Sequence, residues 1–111
     1  MTDSTDSSLV VLCTVPSAEV GAQLARGIVE AQLAACVNII PAVRSIYRWQ
    51  DAVQDDTEAQ LVIKTRAARF EALLAWIRSH HPYEEPEVIA LPIVQGSPSY
   101  LEWIGAQTQP R

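Results

Sequence analysis

The stretch Ser79-His80-His81-Pro82-Tyr83-Glu84-Glu85-Pro86-Glu87 gathers both histidines of the chain, three carboxylates and two prolines. Imidazoles this close to carboxylates can form a metal site, an acid/base pair, or the polar connection between a helix and a strand. Cys13 adds a thiol. Cysteine with histidine suits copper or zinc, with a carboxylate or a water completing the shell. Against this, adjacent side chains on a helix point about 100° apart, so His80 and His81 chelate one ion only where the helix has already ended. The alternative is that the pair caps a helix C-terminus, where the dipole favours a cation. Cys13, inside an apolar run, equally suits a packing role, as does Cys36.

A second constellation comprises Glu58, Lys64, Tyr83 and Glu87, polar residues on or beside strands, with Trp49 as a wall. They either line a ligand cleft between subunits or form a structural polar network. Glu58 and Lys64 share strand parity but lie six residues apart. At about 3.3 Å per residue they cannot pair along one strand, so any contact crosses strands or subunits. Glu87 or His81 as a general base, with Lys64 holding an anion, is the enzymatic alternative. No nucleophile elbow, phosphate-binding glycine loop or His-Glu-x-x-His motif accompanies it. We therefore expect no enzyme and assign no catalytic residue.

The elements that must position these groups follow from periodicity. Leu9 to Val15 is a short apolar, β-branched run ending at Pro16, which predicts a strand buried on both faces. Ser17 is a candidate N-cap for a helix over about Ala18 to Gln32, with Glu19 in its first turn. Cys36 to Trp49 predicts a long strand with Val37, Ile39, Val43, Tyr47 and Trp49 on one parity, and Pro41 implies a bulge or an edge. After a polar connection, Gln50 to Asp56, the alternation of Thr57 to Thr65 predicts the second arm of a hairpin. Phe70, Leu73, Leu74 and Ile77 return to helical spacing, ending near Ser79 because Pro82 cannot continue a helix. Val88 to Val94 predicts the last strand, with Pro92 at a bulge or edge. A terminal helix begins at Ser97-Pro98 or at Ser99 with Glu102, and turns Tyr100, Trp103 and Ile104 inward.

Val10-Val11-Leu12-Cys13-Thr14 and Leu61-Val62-Ile63-Lys64-Thr65 each lead into a helix, an internal echo about fifty residues apart. The order βαββαβ is the split βαβ, or ferredoxin-like, arrangement of an α+β domain: an antiparallel sheet with two helices on one face. The other face still carries apolar side chains and needs a cover, most simply another copy of the chain.

With 111 residues, 49% of them hydrophobic and 19% charged, one packed domain is expected over residues 9–111. Met1 to Ser8, polar and without periodicity, reads as a disordered tail. A net charge of -5 with scattered Lys and Arg argues against nucleic acid as a partner. No apolar run approaches the roughly 20 residues that span a bilayer, and the acidic start is unlike a signal sequence. A cytoplasmic protein without membrane partners is expected. The two cysteines do not resemble a disulfide framework.

Ala34 to Pro41, Ser45 to Trp49, Glu58, Ile63-Lys64-Thr65, His81 to Glu84, Pro86-Glu87 and Tyr100 to Ile104 together resemble the CutA family of divalent-cation tolerance proteins, motifs in order from Leu9 to Ile104. The resemblance implies a ferredoxin-like fold assembled as a homotrimer, similar in architecture to PII signalling proteins, in which neighbouring subunits extend one another's sheets. It implies a tie to copper and other divalent metals, with Cys13, His80 and His81 standing at the proposed copper-ligand positions. A PII-like signalling or scaffold role, with a small ligand or partner protein in the inter-subunit cleft, is the alternative.

Overall fold

A computed structural model describes residues 7–110. The elements in order are β1 (Ser8–Val15), α1 (Ala18–Glu30), β2 (Cys36–Trp49), β3 (Ala52–Arg66), a 3-10 turn (Ala67–Arg69), α2 (Phe70–His80), β4 (Ile89–Pro92) and α3 (Pro98–Gln107). The sheet runs β2-β3-β1-β4, every neighbour antiparallel. This is the expected ferredoxin-like α+β arrangement with a C-terminal helix. Of the expected tail, residues 1–6 lie outside the described residues, and Ser8 already belongs to β1.

The echoed segments become the two central strands, with Cys13 opposite Leu61 and Leu12 opposite Val62. Val11, Cys13, Val15, Ala59, Leu61 and Ile63 form the core face with Leu24 and Ile28 of α1 and Leu73 and Ile77 of α2. Opposite it, Val10, Leu12, Val62 and Lys64 are only half-buried.

Helix boundaries follow local chemistry. The Ser17 hydroxyl accepts the Val20 N–H at 3.2 Å, satisfying one of the orphan donors of α1. The helix stops two residues before the expected Gln32 because Gln32 adopts φ 58°, and Leu33 N–H turns back to the Ile28 carbonyl at 3.0 Å. That pairing closes the helix C-terminus. α2 ends at His80 because His81, preceding Pro82, is extended.

Two features of the long hairpin depart from expectation. β3 begins at Ala52, not Thr57, so the polar stretch pairs with Ser45 to Trp49 and the connection shrinks to Gln50-Asp51. Both residues have positive φ, 50° and 64°, the backbone that matches hairpin twist in a two-residue turn. The polar residues tolerate strand geometry here because the arm projects into solvent, giving extents of 47 × 25 × 22 Å.

The second departure is a face switch. Ile40 stands opposite Gln60 and Val43 opposite Glu58, so β2 carries one extra residue beside Pro41. Each such insertion inverts the side-chain alternation beyond it. Val37 and Ile39 therefore share the core face with Ile63 and Leu61, whereas Val43, Tyr47 and Trp49 lie on the opposite face with Glu58, which corrects the single-parity expectation.

β4 is shorter than expected, and Pro92 sits on an edge strand, where its missing N–H costs no ladder bond. α3 starts at Pro98. Of its aromatic and aliphatic residues Ile104 alone is buried, while Tyr100 and Trp103 stay about 43% and 42% exposed in the single chain. The helix is held at its far end instead, where the Arg66 guanidinium donates to the Thr108 hydroxyl and carbonyl, each at 2.9 Å.

Candidate functional site

The face switch in β2 brings Tyr47 and Trp49 over the sheet face that carries Glu58 and Thr14. The segment after α2 closes over the same place, and together they bound a cavity of about 540 Å³. His81 fastens that segment. Its Nε2–H donates to the Thr14 carbonyl at 2.8 Å, and its Nδ1 accepts the Tyr83 N–H at 3.0 Å. With both nitrogens engaged, the ring is the neutral Nε2–H tautomer and is buried. Its ring also leans on Tyr83, centroids 4.8 Å apart.

Tyr83 in turn donates its phenol to Glu58 Oε2. Burial, and then the Glu58 carboxylate, push that phenol above its usual range. Tyr47 donates to Asp56 Oδ2 at 2.7 Å, a bond that pushes its phenol up to about 12. Both rings are thus neutral and fixed in orientation by carboxylates. Glu87 Oε1 accepts the Thr14 hydroxyl at 2.7 Å and the Gln60 amide at 3.2 Å. Glu84 and Glu85 line the same cavity and engage no partner among the described residues.

His81→Ala is expected to cost about 1–3 kcal/mol of stability, because it leaves the Thr14 carbonyl and the Tyr83 N–H without their partner. His80→Ala should cost under about 1 kcal/mol, as exposed positions do. Urea denaturation of the two variants checks the order, and a larger loss for His80→Ala would contradict it.

Comparison with known proteins decides the family. The model of the CutA1 divalent ion tolerance protein family matches residues 9–107. The chain belongs to that family. It is 53% identical over 92 residues to a Xenopus laevis protein named Protein CutA homolog, covering 83% of this chain and 61% of that one. It is 48% identical over 99 residues to the Thermus thermophilus divalent-cation tolerance protein CutA, covering 89% and 96%. The crystal structure of CutA1 from Oryza sativa superposes with a TM-score of 0.91 at 47% identity, covering 96% of this chain and 98% of that one. The chain spans 54 to 61% of the length of its animal and plant relatives.

In this CutA1 family member, four of the five cleft residues expected from sequence line the cavity: Trp49, Glu58, Tyr83 and Glu87. Lys64 does not. Its ammonium donates to Asn38 Oδ1, farther along the sheet. Tyr47, Thr14 and Ser45 were not among the expected lining residues. Tyr47 carried a usable signal, standing two residues before Trp49 on the same strand parity.

Of the expected metal ligands, two reach the same carbonyl. The Cys13 thiol lies 3.9 Å from the Thr14 carbonyl, the acceptor that His81 also uses. Cys13 is fully buried, and burial, assisted by the Glu87 charge, pushes its thiol up to about 12. His80 sits apart and exposed, stacked on Trp76 at 3.9 Å with its Nδ1–H donating to the Trp76 carbonyl at 2.7 Å. As placed within one chain, the three side chains do not fit a single ion, and among the described residues no three His, Cys, Asp or Glu side chains form a metal-holding group.

Proposed function

We propose that this chain is a non-enzymatic binding protein of divalent-cation tolerance, working in the cytoplasm as a homotrimer. The observation that carries the assembly is a pair of unlike, open sheet edges. The β2 edge leads to Ile46, with Val53 across the hairpin, each 66% exposed, and the β4 edge presents Ile89 and Leu91, 51% and 48% exposed. An open edge is a template for strand pairing. Pairing unlike edges is head-to-tail, and such contacts form a ring where the rotation between subunits closes. The names of the Thermus and other relatives support the tolerance role. No helix among the described residues is long and apolar enough to cross a membrane.

Light scattering on the purified protein tests the assembly: the expected mass is three times the 12.2 kDa chain, reduced toward one chain by Leu91→Lys. A monomer at micromolar concentration in the wild type would remove this reading.

The cargo assigned is copper or a related divalent ion, with Cys13, His80 and His81 as proposed ligands. The carbonyl that Cys13 and His81 share supports this choice; His81 would bind only after giving up Thr14 or Tyr83, and His80 only after leaving Trp76. Calorimetry with Cu²⁺ should give weaker binding for His80→Ala and His81→Ala than for the wild type. Affinity should also fall as pH drops, because the ligands must be deprotonated. Equal affinities in all three proteins would dismiss the site.

A second reading, favoured by the cavity, is a PII-like scaffold whose cleft takes a small ligand at Trp49, Glu58, Tyr83 and Glu87. Lys64 belongs to that cleft only where another subunit brings it in.

A further inference from the structure

We infer that the cavity takes a small organic cation, a molecule bearing an ammonium or guanidinium group. The inference rests on the reading of this cavity as a ligand cleft and adds the chemical class of its ligand. Four of its lining side chains are carboxylates and none is basic. Arg48, although it stands between Tyr47 and Trp49, does not line the cavity, nor do Lys64, bonded to Asn38, and Arg44, paired with Asp55 through two bonds of 2.9 and 2.8 Å. Among the residues that one chain contributes, an anion entering here meets only like charge.

The walls select among cations. Trp49 and Tyr47, each 40% exposed, and Tyr83 present aromatic rings to the cavity. Ring faces attract a diffuse organic cation, Trp most strongly, within about 6 Å of the centroid. A bare divalent ion instead needs about six oxygens at roughly 2.0–2.6 Å, and no three carboxylates here form such a group. The phenols of Tyr47 and Tyr83 are already committed to Asp56 and Glu58, so both rings are set before any ligand arrives.

Glu58 supplies the buried counter-charge. It lines the cavity, is only 6% exposed and spends Oε2 on Tyr83, while its Oε1 takes no hydrogen bond among the described residues. A carboxylate with so little access to solvent is favoured by an opposite charge that pairs with its remaining oxygen. An N–H of an ammonium or guanidinium does so. At about 540 Å³ the cavity lies within the roughly 300–1,000 Å³ range of small-molecule sites.

Calorimetry on the assembled protein tests this with agmatine and methylammonium as cations, phosphate as anion and glycerol as neutral probe. The expected result is that both cations bind and compete with each other, and that Trp49→Leu weakens them about tenfold, within the span of one desolvated cation–aromatic contact. The double variant Glu84→Gln, Glu85→Gln changes only exposed side chains, so it should fold if Trp49→Leu does not, and it should weaken the cations several-fold. Cation affinities unchanged in the folded variants, or binding of phosphate or glycerol without either cation, would overturn the assignment of ligand class while leaving the cleft. Silence of all four probes would overturn the assignment together with the small-ligand reading on which it rests.

Discussion

Leu61→Ala should lower the unfolding free energy by about 2–5 kcal/mol, the range for removing a buried leucine side chain and leaving part of its volume empty. The upper half of that range is expected. Leu61 is fully buried at the centre of the sheet, opposite Cys13 on β1 and Ile39 on β2. Its Cδ2 lies only 3.2 Å from where a β-carbon on Gly21 would stand, so α1 already rests as close to the sheet as its backbone allows there. The helix cannot settle into the vacated space without pushing Gly21 and Val15 together, because that same β-carbon position is 3.2 Å from Val15 Cγ2. Domains of this size are stable by about 5–15 kcal/mol, so the variant forfeits a large share of the total. Urea denaturation at fixed protein concentration measures it, and a loss under about 1 kcal/mol would mean that the core repacks around Leu61. Gly21→Ala made alongside should relieve part of the Leu61→Ala cost by filling the same space, a non-additivity expected only of groups in contact.

How much of this arrangement was legible in the sequence depends on whether a signal was local. Ser17 as a cap, Pro92 on an edge and the paired strand-to-helix runs at Val10 and Leu61 each act within a few residues, and each reappears in the structure. Pro41 announced a bulge, but not that exactly one residue is inserted, and that count moves Tyr47 and Trp49 from the core face to the cavity face. Gln50 and Asp51 are not the glycine-rich pair that advertises a tight turn, so the sequence predicts a shorter hairpin than the one that forms. At the site, Glu58, Tyr83 and Glu87 group in the sequence as polar residues on or beside strands with Trp49 as a wall, and the segment after α2 does bring Tyr83 to Glu58 and Glu87 to the same cavity. Lys64 entered the group through parity alone, which fixes a face but not a position along the strand. The separation of His80 from His81 was foreshadowed by their angular spacing. That His81 serves as the fastener between Thr14 and Tyr83 was not, since it depends on a contact 67 residues away.

Cys13 carries the second large effect, on the alkaline side. Its thiol is pushed from 9.0 in the unfolded range up to about 12 by burial first and by Glu87 second. Between these values the unfolded chain has released the proton and the folded chain has kept it, so the unfolded state binds fewer protons and stability falls as pH rises. The contribution is fully present below about pH 9 and declines above it by up to about 1.4 kcal/mol per pH unit. Tyr47 and Tyr83, whose phenols are also raised, add a decline of the same sign beginning nearer pH 10. Cys13→Ala separates the contributions, because it removes the thiol and leaves both phenols. The variant should be less stable than the wild type at pH 7, with the difference narrowing between pH 9 and 10.5 in urea denaturation. Parallel profiles across that interval would show that Cys13 titrates normally in the folded protein. The same burial governs its metal chemistry: a thiol that must first surrender its proton gives copper binding that strengthens with pH and releases a proton on binding. The pH that weakens the fold is therefore the pH that favours Cys13 as a ligand, and bound copper should offset part of the alkaline loss in the wild type and none of it in Cys13→Ala.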